Sequence, residues 1–415
     1  MRRQWKIAFA IICCVALLAT LLVACDLTVK VTFDPNYEGA TSITKNVAFG
    51  STVTPPTVTR DGYTFGGWYK DKACTQPTTD SDFTIIAGIT FYAKWTKIQS
   101  GDGTVADMYI HFIDFGNSSS GDSVYIKAGD TDILIDAGST KESAPIIKSY
   151  VDRYCTDGIL EYVIVTHSDT DHIYAFTRSG GGIFEMYDCK TIIDFAQVKS
   201  ESATLKTYYE RRDAEVAAGA NNYTALECYN NANGAQRVYD IADGITMEIL
   251  YQKYYEQVSS DNNNHSVCVL FTQGDNHYLF TGDLEESGEK SLVECNPNLP
   301  EVQLFKAGHH GSATSTNEVL LKVIRPEYVV ASCVAGDRRY GFPSQDFINR
   351  VAPYTDKVYV TMAHPDDAST TGKMNGNIIF SCVNGVIEVH GSNNDIILKD
   401  TAWFAANRTM PEAWQ

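Results

Sequence analysis

The sequence predicts an α/β protein, a layered sandwich of sheets and helices preceded by a small all-β module. Three observations carry this expectation. Residues 27–96 punctuate alternating strands with glycine and proline turns. From Ala106 onward, strand-like runs alternate with a helical stretch. Within that second part the apolar run Tyr162-Val163-Ile164-Val165 passes straight into Thr166-His167-Ser168-Asp169-Thr170-Asp171-His172.

The chain has 415 residues, enough for more than one domain and a sizeable core. Residues 1–24 form a targeting segment, with Arg2, Arg3 and Lys6 ahead of an apolar run over 7–24. The closing Leu22-Val23-Ala24-Cys25 resembles a bacterial lipobox, where the peptide is cut before the cysteine and the thiol is lipidated. That resemblance implies a lipid anchor on Cys25 and a place on the outer face of the cytoplasmic membrane or cell surface. A plain secretory signal or an uncleaved anchor helix is the alternative, and all three export the protein. Of eleven cysteines, Cys13, Cys14 and Cys25 belong to this segment. The others form no Cys-x-x-Cys pair, and Cys268, Cys333 and Cys382 sit in apolar runs, so no metal role is expected of them. Disulfides stay open.

In residues 27–96, positions 29–33 alternate as a strand, and Gly50, Pro55, Pro56 and Gly62 mark turns. The run Gly62-Tyr63-Thr64-Phe65-Gly66-Gly67-Trp68-Tyr69, with the closing Phe91-Tyr92-Ala93-Lys94-Trp95, resembles the internalin-type B-repeat. That is a β-grasp-like module of bacterial surface proteins. The resemblance implies a spacer or adhesion unit that can touch a cell-surface polymer, with its aromatics as a miniature core. Residues 97–105 are small and polar and are expected to be a linker.

The second domain is expected over 106–399. Strands are predicted at 108–115, 123–127 and 132–136, then a helix over 142–154 with Ile146, Ile147, Tyr150, Val151 and Tyr154 on one face. Gly158 ends it, and the strand before the histidine turn follows. A turn with two histidines and two carboxylates can aim imidazole nitrogens and carboxylate oxygens at one divalent metal, where the bland alternative is an acidic surface turn.

These motifs resemble the metallo-β-lactamase fold, an αββα four-layer sandwich, and within it the hydrolase domain of DNA-uptake competence proteins and phosphorylcholine esterases. Ile113-Asp114-Phe115-Gly116 with Gly121-Asp122-Ser123 resembles that group's Asp-Val-Gly-Gln-Gly-Asp-Ser, and Leu134-Ile135-Asp136-Ala137-Gly138 its second element. Asp169 stands where most of the superfamily has a histidine, a substitution typical of the competence group. Ile173-Tyr174-Ala175 replaces the usual Gly-Gly. By the same resemblance Asp283, in Thr281-Gly282-Asp283-Leu284, is the bridging carboxylate. In Leu304-Phe305-Lys306-Ala307-Gly308-His309-His310-Gly311-Ser312, His310 is the expected ligand and His309 the substrate contact. Lys306 and Ser312 are expected beside the substrate too, and Ser315 in support. His265 is expected to hydrogen-bond, with a ligand role as the alternative. Tyr340-Gly341-Phe342-Pro343 resembles Tyr-Gly-His-Pro with the histidine lost. His111, His277, His364 and His390 lie outside any constellation. A helix over 202–218 is expected as a surface element or a cap over the site. Residues 358–389 resemble the end of the fold, and 400–415 form a tail without a counterpart.

The resemblance implies a phosphoester (phosphodiester) hydrolase with two divalent ions, Zn²⁺ or Mn²⁺. His167 and Asp169 would hold one and Asp171 and His172 the second, with Asp283 bridging, His310 closing the site and a metal-bound hydroxide as nucleophile. Asp171 and His309 are the expected catalytic residues. The substrate would be nucleic acid or an envelope phosphodiester. A formal charge of −18 and a pI near 4.9 argue against a protein that tracks nucleic-acid backbones, leaving nucleic acid as substrate only. The competing expectation is a surface adhesion lipoprotein whose metallo-hydrolase domain is degenerate.

Overall fold

The structure, a computed structural model, describes residues 28–37, 39–56, 58, 60, 63–97, 105–116, 120–140, 142–336, 339–364 and 374–415. The targeting segment with Cys25, linker positions 98–104 and the interrupted motif at 117–119 lie outside them. The chain divides into two compact units, Met1–Ile98 and Gln99–Gln415.

The first unit is a four-stranded sheet built from Thr28–Asp34, Ile43–Ala48, Tyr63–Tyr69 and Ile89–Lys97. The first strand runs at its centre, antiparallel to the second and parallel to the fourth. Alternation sends Val31 and Phe33 to one face, where Phe91, Trp68 and Ile85 close over them. Phe33 meets Trp68 edge-on at 5.0 Å between ring centroids. Phe33, Trp68 and Phe91 therefore form the core of this module, while Phe49 and Phe65 stay exposed.

The second unit packs two sheets face to face. One has eight strands, in the order Asn221–Thr224, Asp188–Asp194, Ile159–Ile164, Thr131–Ile135, Val124–Ala128, Met108–Phe112, Ile378–Val383 and Val386–Gly391. The other has seven, from Val238–Ala242 through Ile245–Leu250, Cys268–Gln273, Asn276–Phe280, Leu304–Lys306 and Tyr328–Ala335 to Val358–Ala363. Phe112 stacks on Phe280, and Tyr278 meets Phe380 edge-on, so the inner layer is continuous between the sheets. Ile159–Ile164 is parallel to both neighbours and apolar through its second half, which fits a strand covered on both faces. Helices Ser143–Val151, Thr170–Thr177 and Ala203–Ala218 cover the first sheet, and Glu286–Cys295, Glu318–Ile324 and Gln345–Val351 the second. This is the expected helix–sheet–sheet–helix order. The helix predicted over 142–154 is shorter, Ser143–Val151.

One expectation is corrected. Residues 400–415 are not a tail. They form the helix Ala402–Asn407 and a final turn, and Trp403, Phe404 and Trp414 are buried in the core behind the second sheet. Alanine and polar residues surround Trp403, Phe404 and Trp414 in the sequence, yet one fully buried tryptophan contributes more apolar area than several small residues. The helix Ala203–Ala218 leans on the helix Thr170–Thr177 through Tyr208 against Phe176, at 5.9 Å between centroids. It forms a side wall by the histidine turn, with its cap Ser202 at the cleft described below.

Candidate metal centre

The site forms where strands of both sheets end. Asp136 follows Thr131–Ile135, and the histidine turn follows Ile159–Ile164. Asp283 follows Asn276–Phe280, and the His309-His310 pair follows Leu304–Lys306. Gly282, at φ +54, lets these loops meet, because a Cβ there would stand 2.7 Å from Ser266 Oγ and 2.9 Å from Thr166 Cβ.

Each central imidazole is tied on its Nδ1 side. His172 Nδ1 lies 2.7 Å from Asp136 Oδ2, while Asp136 accepts from Thr166 N at 2.8 Å and Thr166 Oγ1 at 2.7 Å. His310 Nδ1 donates to Ser332 O at 2.9 Å. His167 Nδ1 pairs with Thr166 Oγ1 at 3.1 Å. This leaves the three Nε2 atoms for the site. His172 Nε2 is 3.2 Å from Asp283 Oδ2, and His310 Nε2 is 3.4 Å from Asp283 Oδ2 and 3.3 Å from Asp171 Oδ2. His167 Nε2 is 3.9 Å from Asp169 Oδ2, and the rings of His167 and His172 stand 4.1 Å apart. His167, Asp169, Asp171, His172, Asp283 and His310 are thus brought together. His167 Nε2, His172 Nε2 and Asp283 Oδ1 are buried without a hydrogen-bond partner. Burial of such atoms is costly unless a ligand meets them, and a divalent cation fits this nitrogen and oxygen donor set.

The electrostatics agree. Burial opposes a proton on His310, but Asp283 and Asp122 outweigh it and push its pKa up to about 10. His172 is also raised, with burial overcome by Asp283 and Asp136. His167, fully buried beside His172, is pushed down to about 4, by burial first. Asp171 falls to about 2 despite burial, through its hydrogen bond to His310 and the nearby His172. Without metal, protons on His172 and His310 balance the carboxylates, and a cation would take over that charge.

Two expected substrate residues are corrected. Lys306 is fully buried, ion-paired to Asp122 and donating to Ala307 O at 3.1 Å. Its charge neutralises a buried carboxylate, so it cannot reach a substrate. Ser312 is buried as well, and its Oγ bonds Thr314 Oγ1 at 3.1 Å and accepts from Thr314 N at 3.2 Å, which braces the loop. His309 is different. Its side chain is 23% exposed, with Nε2 3.8 Å from Asp283 Oδ2 and Nδ1 3.2 Å from Thr314 Oγ1. His265 accepts from Ser259 N at 2.8 Å through Nε2, away from this cluster, in the expected hydrogen-bonding role.

Four supporting residues were given no role from sequence. Asp136 orients His172. Asp122 lies on the Nδ1 side of His310, 3.4 Å away, and of His172, 3.9 Å away, so it stands behind the rings and holds Lys306. Both sit inside the two motif elements, which was the available signal. Asn262 Nδ2 donates to Asp169 Oδ1 at 2.8 Å, and Asn263 Nδ2 is 3.4 Å from His309 Nδ1. Nothing in the run Asn262-Asn263-Asn264 announces these partners. Beside the centre lies a cleft of about 600 Å³ lined by Asp169 and Asp171, hydroxyls including Ser139 and Ser202, Asn262, Arg339 and Tyr340.

Two facing sheets with a histidine–carboxylate centre at their strand ends define an α/β sandwich with a candidate metal site. The chain matches the Metallo-beta-lactamase superfamily over residues 117–177 and 260–335, and the Listeria-Bacteroides repeat domain over 30–94. It therefore carries a metallo-beta-lactamase superfamily domain behind a Listeria-Bacteroides repeat. It is 27% identical over 229 residues to Recombination protein 2 of Haemophilus influenzae, covering 54% of this chain and 24% of that protein. It is 35% identical over 119 residues to Competence protein ComA of Neisseria gonorrhoeae, covering 29% of this chain and 17% of that one. The chain thus spans a quarter or less of these curated relatives. Among solved structures it is similar to the metallo-beta-lactamase fold protein YhfI from Bacillus subtilis, with a TM-score of 0.39 and 11% identity, covering 66% of this chain and 99% of that one.

Proposed function

We propose that the second unit is a metal-dependent hydrolase of phosphoester bonds, acting on nucleic acid or on an envelope phosphodiester, in a protein exported and anchored through Cys25. The observation that supports it most is the meeting of three imidazole Nε2 atoms with Asp283, where His167 Nε2, His172 Nε2 and Asp283 Oδ1 are buried without a hydrogen-bond partner. Divalent ions held there, Zn²⁺ or Mn²⁺, would supply charge for the phosphoryl oxygens and lower the pKa of the attacking water. In this reading His167 and Asp169 would hold one ion and Asp171 and His172 the other, with Asp283 and His310 completing the donor set. Asp171, at the mouth of the cleft, orients the water. His309, the partly exposed member of its pair, approaches the leaving oxygen and gives it a proton from Nε2. Asp136, Ser332 and Thr166 keep the rings from turning.

Elemental analysis of metal-reconstituted protein should find about two ions per chain, with turnover of bis(4-nitrophenyl) phosphate. Asp171→Asn should fold normally and lose that turnover by orders of magnitude. Protein that binds no metal and turns nothing over would leave the adhesion reading in its place. Export is tested apart from chemistry: Cys25→Ala should move the full chain from the membrane to the soluble fraction, and unchanged retention would point to an anchor helix.

A further inference from the structure

The cleft has a side that the metal centre does not explain. Phe342 is buried beside both histidines of the pair, 5.7 Å from the His310 ring and 5.9 Å from that of His309. Tyr340 stacks on Phe342 with 10° between planes and 5.4 Å between centroids, yet is 53% exposed. The Arg339 guanidinium lies over Tyr340, 4.8 Å from the ring centroid. An aromatic ramp therefore leads from the buried ligand His310 to a cation at the cleft rim.

The ramp is held from behind. Gly336 N donates to Phe342 O at 3.2 Å, and Ser344 N to Gly311 O at 2.8 Å, which fastens the loop to the His309-His310 turn. Arg408 donates to Gly341 O at 2.7 Å and Pro343 O at 2.9 Å, while lying over Trp403. Gln345 and Thr409 exchange two further bonds, at 2.9 and 2.8 Å. So the C-terminal segment braces the loop that carries Arg339 and Tyr340.

A cation set on a stacked aromatic recognises a planar or anionic group, and a guanidinium matches phosphate oxygens in pairs. Among the described residues the other charged groups lining the cleft are Asp169 and Asp171, and the whole chain carries −18, so a second anion on the substrate would be repelled without such a partner. We propose that Arg339, presented by Tyr340 on Phe342, binds a second phosphate of the substrate, next to the phosphoester held at the metal centre. The proposal rests on the phosphoester reading above and sharpens it: the substrate is a repeating phosphodiester, not an isolated ester.

The test compares ligands that differ by one phosphate. Calorimetry on the metal-reconstituted full chain should find thymidine 3′,5′-bisphosphate bound about tenfold more tightly than thymidine 5′-monophosphate, the scale of one charge-assisted pair. Arg339→Ala should bring that ratio close to one, Arg339→Lys should keep part of it, and Tyr340→Ala should reduce it by removing the platform. Tyr340→Phe should preserve it. Glycerol 1,3-bisphosphate against glycerol 1-phosphate separates the sources: a ratio dependent on Arg339 for the thymidine pair assigns a polynucleotide, and one for the glycerol pair a polyol-phosphate polymer. Equal binding of both members of each pair by the wild type, or a ratio that survives Arg339→Ala, overturns the proposal. Failure to turn over bis(4-nitrophenyl) phosphate would count against the hydrolase reading instead, since the binding ratio needs no catalysis.

Discussion

At the scale of single residues, the site depends on groups that never face a substrate. Asp136 accepts from Thr166 N and Oγ1, so both oxygens are spoken for before His172 reaches it. That fixes His172 with Nδ1–H toward Asp136 and Nε2 toward Asp283. Asp136→Asn keeps the volume but offers an amide N–H where Thr166 and His172 need acceptors. The variant should keep its fold and bind metal roughly 10- to 100-fold more weakly, a range typical of such outer partners, as read by competition with a chelator. Unchanged affinity would mean that His172 is oriented by other contacts. The local cluster of His167, Asp169, Asp171 and His172 was legible because one turn carries it after a recognisable strand. Lys306 was not. A lysine beside a histidine pair looks like a phosphate binder, and only the fold reveals that Asp122, distant in sequence, has already taken its charge.

At the scale of elements, the left-handed conformation of His309 and His310, at φ +47 and +55, is strained for residues with side chains and needs support. Two side chains give it to the loop that follows. Glu289 accepts from Thr316 N at 2.5 Å and Asn317 N at 2.9 Å, and Arg350 donates to Ser315 O at 2.7 Å and Thr316 O at 2.9 Å. Burial pushes the Glu289 carboxyl up to about 7, more than its two amide donors pull it down. Because the folded protein then holds this proton more tightly than the unfolded chain, the contribution of Glu289 to stability is greatest at low pH. It falls as pH rises from the ordinary value of 4.5 to about 7, and is flat above. The slope for one such proton is at most about 1.4 kcal/mol per pH unit. Glu289→Gln resembles the protonated acid, so urea unfolding across that window should show the slope reduced in the variant relative to wild type. Parallel curves would place the Glu289 proton transition outside the window. The element order itself was legible, since period-two and helical patterns survive in the sequence. The closing segment was not, because its three buried aromatics lie among alanine and polar residues and their partners come from the second sheet's outer core.

At the scale of the whole molecule, the two units have separate cores. Val31, Phe33, Trp68 and Phe91 belong to one cluster, and both clusters of the second unit are drawn from residues after 105. Every group at the candidate metal centre, including the supporting Asp122, Asp136, Asn262 and Asn263, also lies after residue 105. A unit with its own core and complete site should fold alone. The fragment 106–415 is therefore expected to be soluble, to unfold in one cooperative urea transition and to bind the same number of divalent ions as the full chain. Ending the fragment at 399 should do the opposite, although sequence reasoning drew a boundary there. It would strip Trp403, Phe404 and Trp414 from the core, and loss of one large buried aromatic alone costs about 3–5 kcal/mol, a large share of a typical domain's stability. It would also remove Arg408 from the loop that borders the cleft. Circular dichroism and metal analysis of the two fragments settle the matter: equal folding and metal content in 106–399 would show the closing segment to be dispensable, and an insoluble or metal-free 106–415 would show that the second unit depends on the module before it.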